Sequence, residues 1–574
     1  MCMSVSKILF FRLIRLRTSM NDEEDASMKE LFESINSILA FVGPLSDFFW
    51  DFPTNFAWYK AIPVLGNFSL AVIVLFGSGI YFSYRLGFIQ ISHFWSGIRL
   101  MIKHRSAETG ISPLAAFFLS SAMRVGPGNI LGVTGAISVG GPGALFWMWV
   151  SAFFGMGIAY TEATLAQIFK EKKNDEFVGG LPFYGRRLLG DKAWIGVVLS
   201  LVYIFYALMC LPAQGFNVVS SIGAMAEIAT GSKIATTSML YWVVMVLTIG
   251  ITAAITFGGI KEVTKVTDKM VPVMAVVYVV TVLVLIIANA GSIPYFFGAV
   301  FGGAFTPEAV FGGLFGTALV QGVKRGLMSN EAGQGTITMA AAAADAKHPC
   351  EQGIVAALGV FLDTHIICTM TGFVVVMAHA WTTNFAVWDK AGKLPKFLLS
   401  VQEMTPGTGM NAVVTFLLTL CFCLFAYTCL LGMIAYPEIA GNRISKNAGF
   451  INGIRILCLI VAAFGILVNI AGYDLGNLWA FSDLANIIIV YVNVPLLYLG
   501  ARYVFKATEQ YKIDEEATFN SDVIGISCEY WDKKIINSLY LLYIKRSYRG
   551  GKISLCMTFS NFKILFSPAL YGGI

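Results

Sequence analysis

The chain has 574 residues, of which 57% are hydrophobic and 13% are charged, with a formal net charge of +6 and a mean hydropathy of +0.71. A soluble protein of this length would need far more polar surface than these residues provide. The composition therefore excludes a single soluble domain and gives no reason to expect a nucleic-acid partner. Transporters, channels, intramembrane enzymes and receptors are the classes left to separate.

The N-terminal segment, residues 1–64, is partly polar. Its first stretch, Met1–Thr18, is basic and apolar but too short to cross a membrane. We interpret it either as a targeting peptide or as the result of an upstream start, in which case Met20 or Met28 is the working first residue.

Candidate membrane spans fill the middle of the chain. A helix needs about 20 mostly apolar residues to cross a bilayer, and such runs recur after residue 64. The sequence predicts an all-α membrane protein with about eleven spans: Leu65–Phe82, Ser112–Val139, Ala144–Phe169, Trp194–Ile228, Ser238–Phe257, Val271–Ala290, Ala309–Ala344, Gly353–Ala378, Asn411–Tyr436, Ile451–Ala471 and Leu478–Tyr498.

Basic residues crowd every second loop between these spans. The clusters lie at Arg85–Arg105, Lys170–Lys192, Lys261–Lys269, Arg443–Lys446 and Arg502–Lys506. Positively charged loops stay in the cytoplasm. The pattern thus predicts a multi-pass protein of a bacterial plasma membrane, with its N-terminus outside and its C-terminus in the cytoplasm.

Two of the spans are interrupted. The first contains Val125-Gly126-Pro127-Gly128-Asn129, and the other contains both Lys324-Arg325-Gly326 and the stretch Ser329–Gly335. A proline and two glycines inside a span cannot maintain its hydrogen-bond ladder. The broken spans lie five spans apart and run in opposite directions, which predicts an inverted-repeat transporter with a midplane site between unwound helices. A pair of ordinary kinks is the alternative.

The predicted organisation is based on these breaks. Residues 65–88 form an extra N-terminal transmembrane helix, 112–291 the first repeat and 307–505 the second. The tail, 506–574, has no spanning run after residue 512, and we expect a poorly ordered extension without an assigned function.

Charged residues inside the spans are functional candidates, because a charge in the bilayer is costly. Asp363 lies about ten residues into its span, near the midplane, and we favour a cation-binding role over a pairing with Lys324 or Arg325. Glu331 is given a structural role, holding Arg325 or a helix end.

Arg124, at the edge of the first break, has three interpretations. Its guanidinium binds a substrate carboxylate through two N–H groups, replaces a cation, or pairs with Glu331 or Asp363. Glu162 lies nearer the predicted cytoplasmic end of its span, so we expect its charge to snorkel.

Unwinding at the first break frees backbone groups for ligands. Carbonyls at Ala122 to Val125 suit a hard cation such as sodium, and amides at Gly128 and Asn129 suit a substrate carboxylate. Pro127 has no N–H and offers only its carbonyl. Gln214 and Asn217, on a long span, are expected to line the pathway.

Several motifs resemble one transporter family. The segment GISPLAAFFLSSAMRVGPGNILGVTGAISVGGPGALFWMWVSAFFGMGIAYTEATLA (Gly110–Ala166) is similar to the first core region of the alanine-or-glycine:cation symporter family, also called the sodium:alanine symporter family. VKRGLMSNEAG (Val323–Gly333), ALGVFLDT (Ala357–Thr364) and FGGIKEVTKVTDKMVP (Phe257–Pro272) also match. The resemblance covers about residues 65–506.

This resemblance implies a LeuT-type fold, two inverted five-helix repeats preceded here by one extra helix, and sodium-coupled import of a small neutral amino acid. It implies one sodium site at the Ala122 and Val125 carbonyls and the Thr428 hydroxyl, although that hydroxyl could instead bond its own helix. We predict a further cation role for Asp363 with Thr364 and Asn129. The predicted substrate-binding residues are those at the breaks and on the eighth core helix: Arg124, Gly126, Pro127, Gly128, Asn129, Asn330, Cys429 and Met433.

The sequence departs from the family pattern at three of these positions. Pro127 stands where relatives usually carry Thr, Cys429 replaces a pocket Thr, and Met433 replaces a pocket Trp. The expected substrates are accordingly alanine, glycine or glutamine.

Other classes lack their usual patterns. The sequence contains no GxSxG or HExxH motif for a hydrolase and no repeated filter or ring of like charges for a channel. The runner-up is a proton-coupled LeuT-type carrier for another small solute.

Overall fold

The computed structural model describes residues 33–34, 37, 40–63, 65–102, 110–173, 176–305, 314–383, 385–405, 407–473, 476–532, 555–556 and 565–566. The interpretation of Met1–Thr18 lies outside these residues. The described chain is almost entirely helical. Its β-strands form two short antiparallel pairs, β1 (Glu171–Lys173) with β2 (Glu176–Val178), and β3 (Leu555–Cys556) with β4 (Leu565–Phe566).

The helices that build the bundle are numbered here in chain order. They are α1 (Val42–Asp51), α2 (Ala57–Lys60), α3 (Leu70–Arg85), α4 (Ile89–Ser92), α5 (Phe94–Ile102), α6 (Pro113–Arg124), α7 (Val133–Gly140), α8 (Gly143–Ile168), α9 (Leu181–Leu188), α10 (Ala193–Thr230), α11 (Met239–Thr256), α12 (Ile260–Ala288), α13 (Ile293–Phe305), α14 (Leu314–Asn330), α15 (Ile337–Ala343), α16 (Pro349–Val360), α17 (Thr369–Met377), α18 (Ala380–Thr383), α19 (Phe385–Lys390), α20 (Lys393–Met404), α21 (Thr408–Ile444), α22 (Ala448–Ile470) and α23 (Gly476–Ile513). Short 3₁₀ or π turns lie at Leu65–Asn67, Gly128–Gly132, Ala290–Ser292, Phe361–Cys368 and Ser521–Ile524.

Helices lie at all eleven predicted spans. Among the described residues, eight helical segments are long and apolar enough to cross a membrane. The other three predicted spans are the short helix α3 and the two interrupted segments. The number of membrane crossings stays a prediction, and so do the repeat boundaries.

Both interruptions are present, but the second is shorter than predicted. Helix α6 ends at Arg124, and a π turn begins at Gly128. Helix α14 runs unbroken to Asn330, and α15 begins at Ile337. Lys324-Arg325-Gly326 therefore does not interrupt the helix, and that part of the prediction is wrong.

Gly326 allows α14 to pack closely against a neighbouring helix, and it does not unwind α14. A Cβ added at Gly326 would lie 2.8 Å from the Ser151 hydroxyl, and one added at Gly322 would lie 2.5 Å from the Ala144 carbonyl oxygen. These two glycines, one turn apart on α14, let it lie directly against α8, as small residues do between membrane helices. Helix α8 is thereby placed behind the second break.

The first part of the tail is packed against the bundle. Phe519 and Trp531 are fully buried, and the Trp531 indole N–H donates to the Gln167 carbonyl oxygen at 2.9 Å. The Phe519 N–H donates to the Lys347 carbonyl oxygen at 3.1 Å. The expectation of a poorly ordered extension is wrong for residues 514–532, and most of the chain after residue 532 lies outside the described residues.

Candidate functional site

A cavity lies between the two helix breaks. Its volume is about 70 Å³; since one water needs roughly 10–15 Å³ of such space, it has room for about five waters, or for one small amino acid. Six of the eight predicted substrate-binding residues line it: Arg124, Gly126, Pro127, Gly128, Cys429 and Met433.

Arg124 reaches the cavity from the end of α6. Its side chain is 1% exposed, and its Nε donates to the Asn330 carbonyl oxygen at 3.1 Å. Its two terminal nitrogens have no hydrogen-bond partner among the described residues. A Cβ at Gly359 would lie 1.8 Å from Nη1, so only glycine leaves space for the guanidinium there.

The predicted pairing of Arg124 with a carboxylate is not present. Within the described chain, neither Glu331 nor Asp363 has an oxygen within 4 Å of its nitrogens. Glu331 instead accepts from the Thr336 hydroxyl at 2.8 Å, inside the second break. Glu331 therefore holds a helix end, one of its two predicted structural roles.

A second group of polar side chains, which we call the Asp363 cluster, lies behind the first break. Asp363 accepts from the Asn129 amide at 2.6 Å, from the Thr364 hydroxyl at 2.8 Å and from the Ser329 hydroxyl at 3.3 Å. The Asn330 amide donates to the Thr364 hydroxyl at 3.1 Å. Asn129 thus lies with Asp363 and Thr364, which is one of its two predicted positions, and Asn330 belongs to the same cluster. Neither residue lines the cavity, where both were expected to bind substrate.

The alternative partners proposed for Asp363 lie elsewhere. Arg325 forms an ion pair with Asp483 at 3.2 Å, and the Lys324 ammonium lies 4.7 Å from the centre of the Trp50 ring. Asp363 is fully buried, and its hydrogen-bond partners in the described chain are neutral groups. Because a buried carboxylate needs a compensating charge or a proton, this geometry suits a cation.

Backbone groups at the first break are partly used within the chain. The Asn129 N–H donates to the Gly126 carbonyl oxygen at 3.1 Å. We expected this N–H to be free for a substrate carboxylate, but it is already used within the chain. The Thr428 hydroxyl donates to the Leu424 and Phe425 carbonyl oxygens of its own helix at 3.0 and 3.2 Å. Those bonds leave its lone pairs available, and a sodium site at Ala122, Val125 and Thr428 stays a prediction.

Glu162 holds the second break in place. Its side chain is fully buried, so the predicted snorkelling is wrong. One carboxylate oxygen accepts from the Gly335 N–H at 2.9 Å and from the Asn493 amide, which also donates to the Gly333 carbonyl oxygen at 3.0 Å. An acid inside an apolar span is a signal for such a role, but its partner Asn493 is 331 residues away.

The last long helix contributes a wall of the cavity that the sequence reasoning missed. Trp479, Ser482 and Asn486 of α23 line the cavity, at the spacing of one helix face. That periodicity was available in the sequence, but nothing in it indicated what the face would meet. Gln214 lines the cavity as expected, whereas Asn217 does not.

Comparisons with known proteins identify relatives of this chain. The model of the sodium:alanine symporter family matches residues 57–524. Similar proteins include the amino-acid carrier protein AlsT of Bacillus subtilis, 33% identical over 76% of this chain and 88% of the relative. The sodium/alanine symporter AgcS of Methanococcus maripaludis is 34% identical over 77% of this chain and 93% of its own length. The probable sodium/glutamine symporter GlnT of Bacillus subtilis is 32% identical over 80% and 93%.

A solved structure identifies the fold. The crystal structure of MhsT in complex with L-phenylalanine matches with a TM-score of 0.51 at 14% identity, over 76% of this chain and 99% of that chain. MhsT has the LeuT-type fold, so the predicted fold class is confirmed, and at this identity the likeness concerns the fold alone. The family is one of membrane symporters and not of enzymes. With a family match across most of its length and relatives at 32–34% identity, the chain belongs to the sodium:alanine symporter family.

Proposed function

We propose that this protein is a sodium-coupled symporter that imports a small neutral amino acid by alternating access. The observation that carries the proposal is the cavity at the two helix breaks, where a buried guanidinium has two nitrogens without partners in the described chain. A site built this way favours a ligand that brings a carboxylate.

Arg124 is the group proposed to bind that carboxylate. Nη1 and Nη2 are parallel donors on one planar group, and such a pair matches the two oxygens of a carboxylate. Arg124 is buried and has no carboxylate oxygen within 4 Å in the described chain, so a substrate carboxylate would also supply a directly paired negative charge. The proposal adopts the first of the three interpretations of Arg124.

The part of the cavity wall formed by α21 is proposed to contact the substrate side chain. Cys429 and Met433 line it from α21, and the Cys429 thiol lies 3.8 Å from the Met123 carbonyl oxygen. Both side chains are uncharged and largely apolar. Such a wall suits alanine, glycine or a modest polar side chain such as that of glutamine, and the names of the similar proteins include alanine and glutamine symporters.

Sodium is proposed to bind at the Asp363 cluster. A carboxylate with hydroxyl and amide neighbours offers the oxygen ligands that hard cations prefer. Asn129 connects this cluster to the cavity, because its side-chain oxygen accepts from the Gly126 N–H at 2.8 Å while its amide donates to Asp363. Cation binding at Asp363 would therefore affect the position of Asn129 and, through it, the Gly126 backbone that lines the substrate cavity.

Uptake into proteoliposomes tests the proposal. We expect saturable uptake of labelled alanine, glycine or glutamine that requires an inward sodium gradient, with protein-free liposomes as the control. Uptake that is unchanged when potassium or choline replaces sodium would refute sodium coupling. Loss of uptake with a proton uncoupler at a fixed sodium gradient would favour the proton-coupled alternative.

A further inference from the structure

A second cavity lies away from the transport site, at the end of the bundle where the basic loops are. Its volume is about 410 Å³, several times that of the substrate cavity. It is formed by the β1–β2 hairpin, the start of α12, the end of α21 and the start of α22. Four basic and two acidic side chains line it: Lys173, Lys261, Lys446, Arg455, Glu176 and Glu438.

The positive charge of this cavity is in excess. Glu438 is neutralised by Arg455, which donates to its two carboxylate oxygens at 2.9 and 2.5 Å. The Lys173 ammonium donates to the neutral side chain of Asn442. Three lysines then face one remaining carboxylate, so the cavity attracts an anion.

Two of those lysines are available to a ligand. Lys261 and Lys446 are exposed, and neither has a carboxylate within 4 Å among the described residues. Arg455 is fixed by its contacts and gives the cavity a rigid wall. The site therefore combines one ion pair, Arg455 with Glu438, and two exposed lysines.

Exposed apolar side chains lie next to residues that line the cavity. Phe257 is 38% exposed and lies under the Arg455 guanidinium at 5.9 Å, and Phe450 on the first turn of α22 is also 38% exposed. Ile251 of α11 and Ile460 of α22 continue the exposed apolar surface along two helices that pack together. A ligand with a charged end and long apolar chains fits this arrangement.

We infer that this cavity binds the headgroup of an anionic phospholipid, with the phosphate at Lys261 and Lys446 and the acyl chains along α11 and α22. Clusters of lysine and arginine at the cytoplasmic end of membrane helices attract such lipids, with about 1 kcal/mol from each basic residue. The inference is independent of the transported solute, because none of these residues lines the substrate cavity.

Native mass spectrometry of the full-length protein tests this inference. The purified protein is titrated with phosphatidylglycerol or phosphatidylcholine, and we expect preferential retention of phosphatidylglycerol. The double variant Lys261→Gln/Lys446→Gln should weaken that retention by about 20- to 30-fold. Lys261→Arg/Lys446→Arg should restore it, because the positive charges return.

The matched control removes two exposed lysines from the same end of the bundle. Lys192→Gln/Lys506→Gln makes the same change in net charge outside the cavity, and it should bind phosphatidylglycerol like the unchanged protein. Equal losses in both double variants would refute a specific site. Displacement of the lipid by millimolar inorganic phosphate would also overturn the inference, since the cavity would then be a site for free anions.

Discussion

At the scale of single residues, two buried charges lie near the first helix break, and they are the centre of the proposed transport site. Arg124 and Asp363 are both fully enclosed, and neither has a group of opposite charge within 4 Å in the described chain. A buried charge without a partner costs several kcal/mol. A substrate carboxylate would supply the opposite charge for Arg124, and a cation would supply it for Asp363. Both ligands would then bind near the same helix break.

The variant Asp363→Asn should raise the sodium concentration needed for half-maximal uptake. It removes the formal charge of the proposed site. A hydrogen bond to a charged group is worth about 1.5–3 kcal/mol, and a loss of that size is roughly a 10- to 150-fold weakening. The measurement is initial uptake rate against sodium concentration.

Asp268→Asn is the matched control for this variant, because Asp268 is a half-buried carboxylate on α12, outside the cluster. It should leave the sodium dependence unchanged. If Asp363→Asn folds and keeps the original sodium dependence, Asp363 has a structural role only.

Met433→Trp should narrow the substrate range toward glycine and alanine. Met433 lines the cavity, and tryptophan is larger and more rigid than methionine. Inhibition of labelled uptake by glycine, alanine, serine, glutamine and leucine measures the range.

A change to leucine at the same position keeps the volume similar, so Met433→Leu should preserve the inhibition profile. Identical profiles for the tryptophan variant and the unchanged protein would show that position 433 does not border the substrate.

At the scale of elements, the second break depends on an unusual backbone. Glu331, Gly333 and Gly335 have φ values of +60, +90 and +74°. Glycine adopts this left-handed region freely, whereas glutamate does so at a cost. The stretch is therefore held by external hydrogen bonds, and Glu162 with Asn493 provides them from α8 and α23.

Replacing Glu162 should show whether the break needs an acceptor or a charge. Glu162→Ala leaves the buried Gly335 N–H without its acceptor, which should destabilise the protein by about 1–3 kcal/mol and reduce uptake. Glu162→Gln retains one acceptor oxygen and should be much milder. Thermal unfolding in nanodiscs and uptake rates are the measurements.

The comparison of these two variants is decisive. A glutamine variant as damaged as the alanine variant would mean that the charge of Glu162 matters more than its geometry. An alanine variant with normal stability and uptake would show that Glu162 does not hold the break.

At the scale of the whole molecule, the tail connects parts of the chain that are distant in sequence. The Lys170 ammonium donates to the Ala344 carbonyl oxygen at 2.7 Å and lies 4.1 to 5.1 Å from the centres of the Phe177, Tyr530 and Trp531 rings. The end of α8, the β hairpin, the segment after the second break and the tail are thereby held together. The docked tail covers the same end of the bundle as the basic loops.

The docking of the tail should weaken at low pH because of His348. This residue precedes the span that begins at Pro349, and burial lowers its pKa from 6.5 to about 4. Its Nδ1 accepts from the Cys350 N–H at 3.2 Å, and its ring lies 5.1 Å from that of Phe519 in the tail. Protonation removes the acceptor. Stability from neutral His348 is complete above pH 6.5 and is lost as the pH falls toward 4.

Hydrogen exchange of residues 514–532 in nanodiscs should therefore rise between pH 6.5 and 4, after correction for the intrinsic rate. His348→Asn keeps a capping side chain that does not titrate, so its exchange should lack this change. Trp531→Ala should expose the tail at every pH and serves as the positive control. A rise of equal size in His348→Asn would assign the pH dependence to other groups.

The sequence by itself determined the class, the fold and the first break. Hydropathy predicted helices at eleven places, because the ability of a segment to cross a membrane depends on its own length and apolar composition. Val125 to Asn129 predicted an interruption because proline and glycine act on their own backbone. Gly126, Pro127, Gly128, Cys429 and Met433 reached the cavity as the resemblance implied.

Only the tertiary structure decided which polar groups meet. Glu162 reaches Gly335 across 173 positions, and Arg325 pairs with Asp483 across 158. The same side chains could have paired otherwise, since several carboxylates and cations lie near the breaks in the sequence. Their choice depends on which helix faces pack together. One such contact, between α14 and α8, is made possible by Gly322 and Gly326.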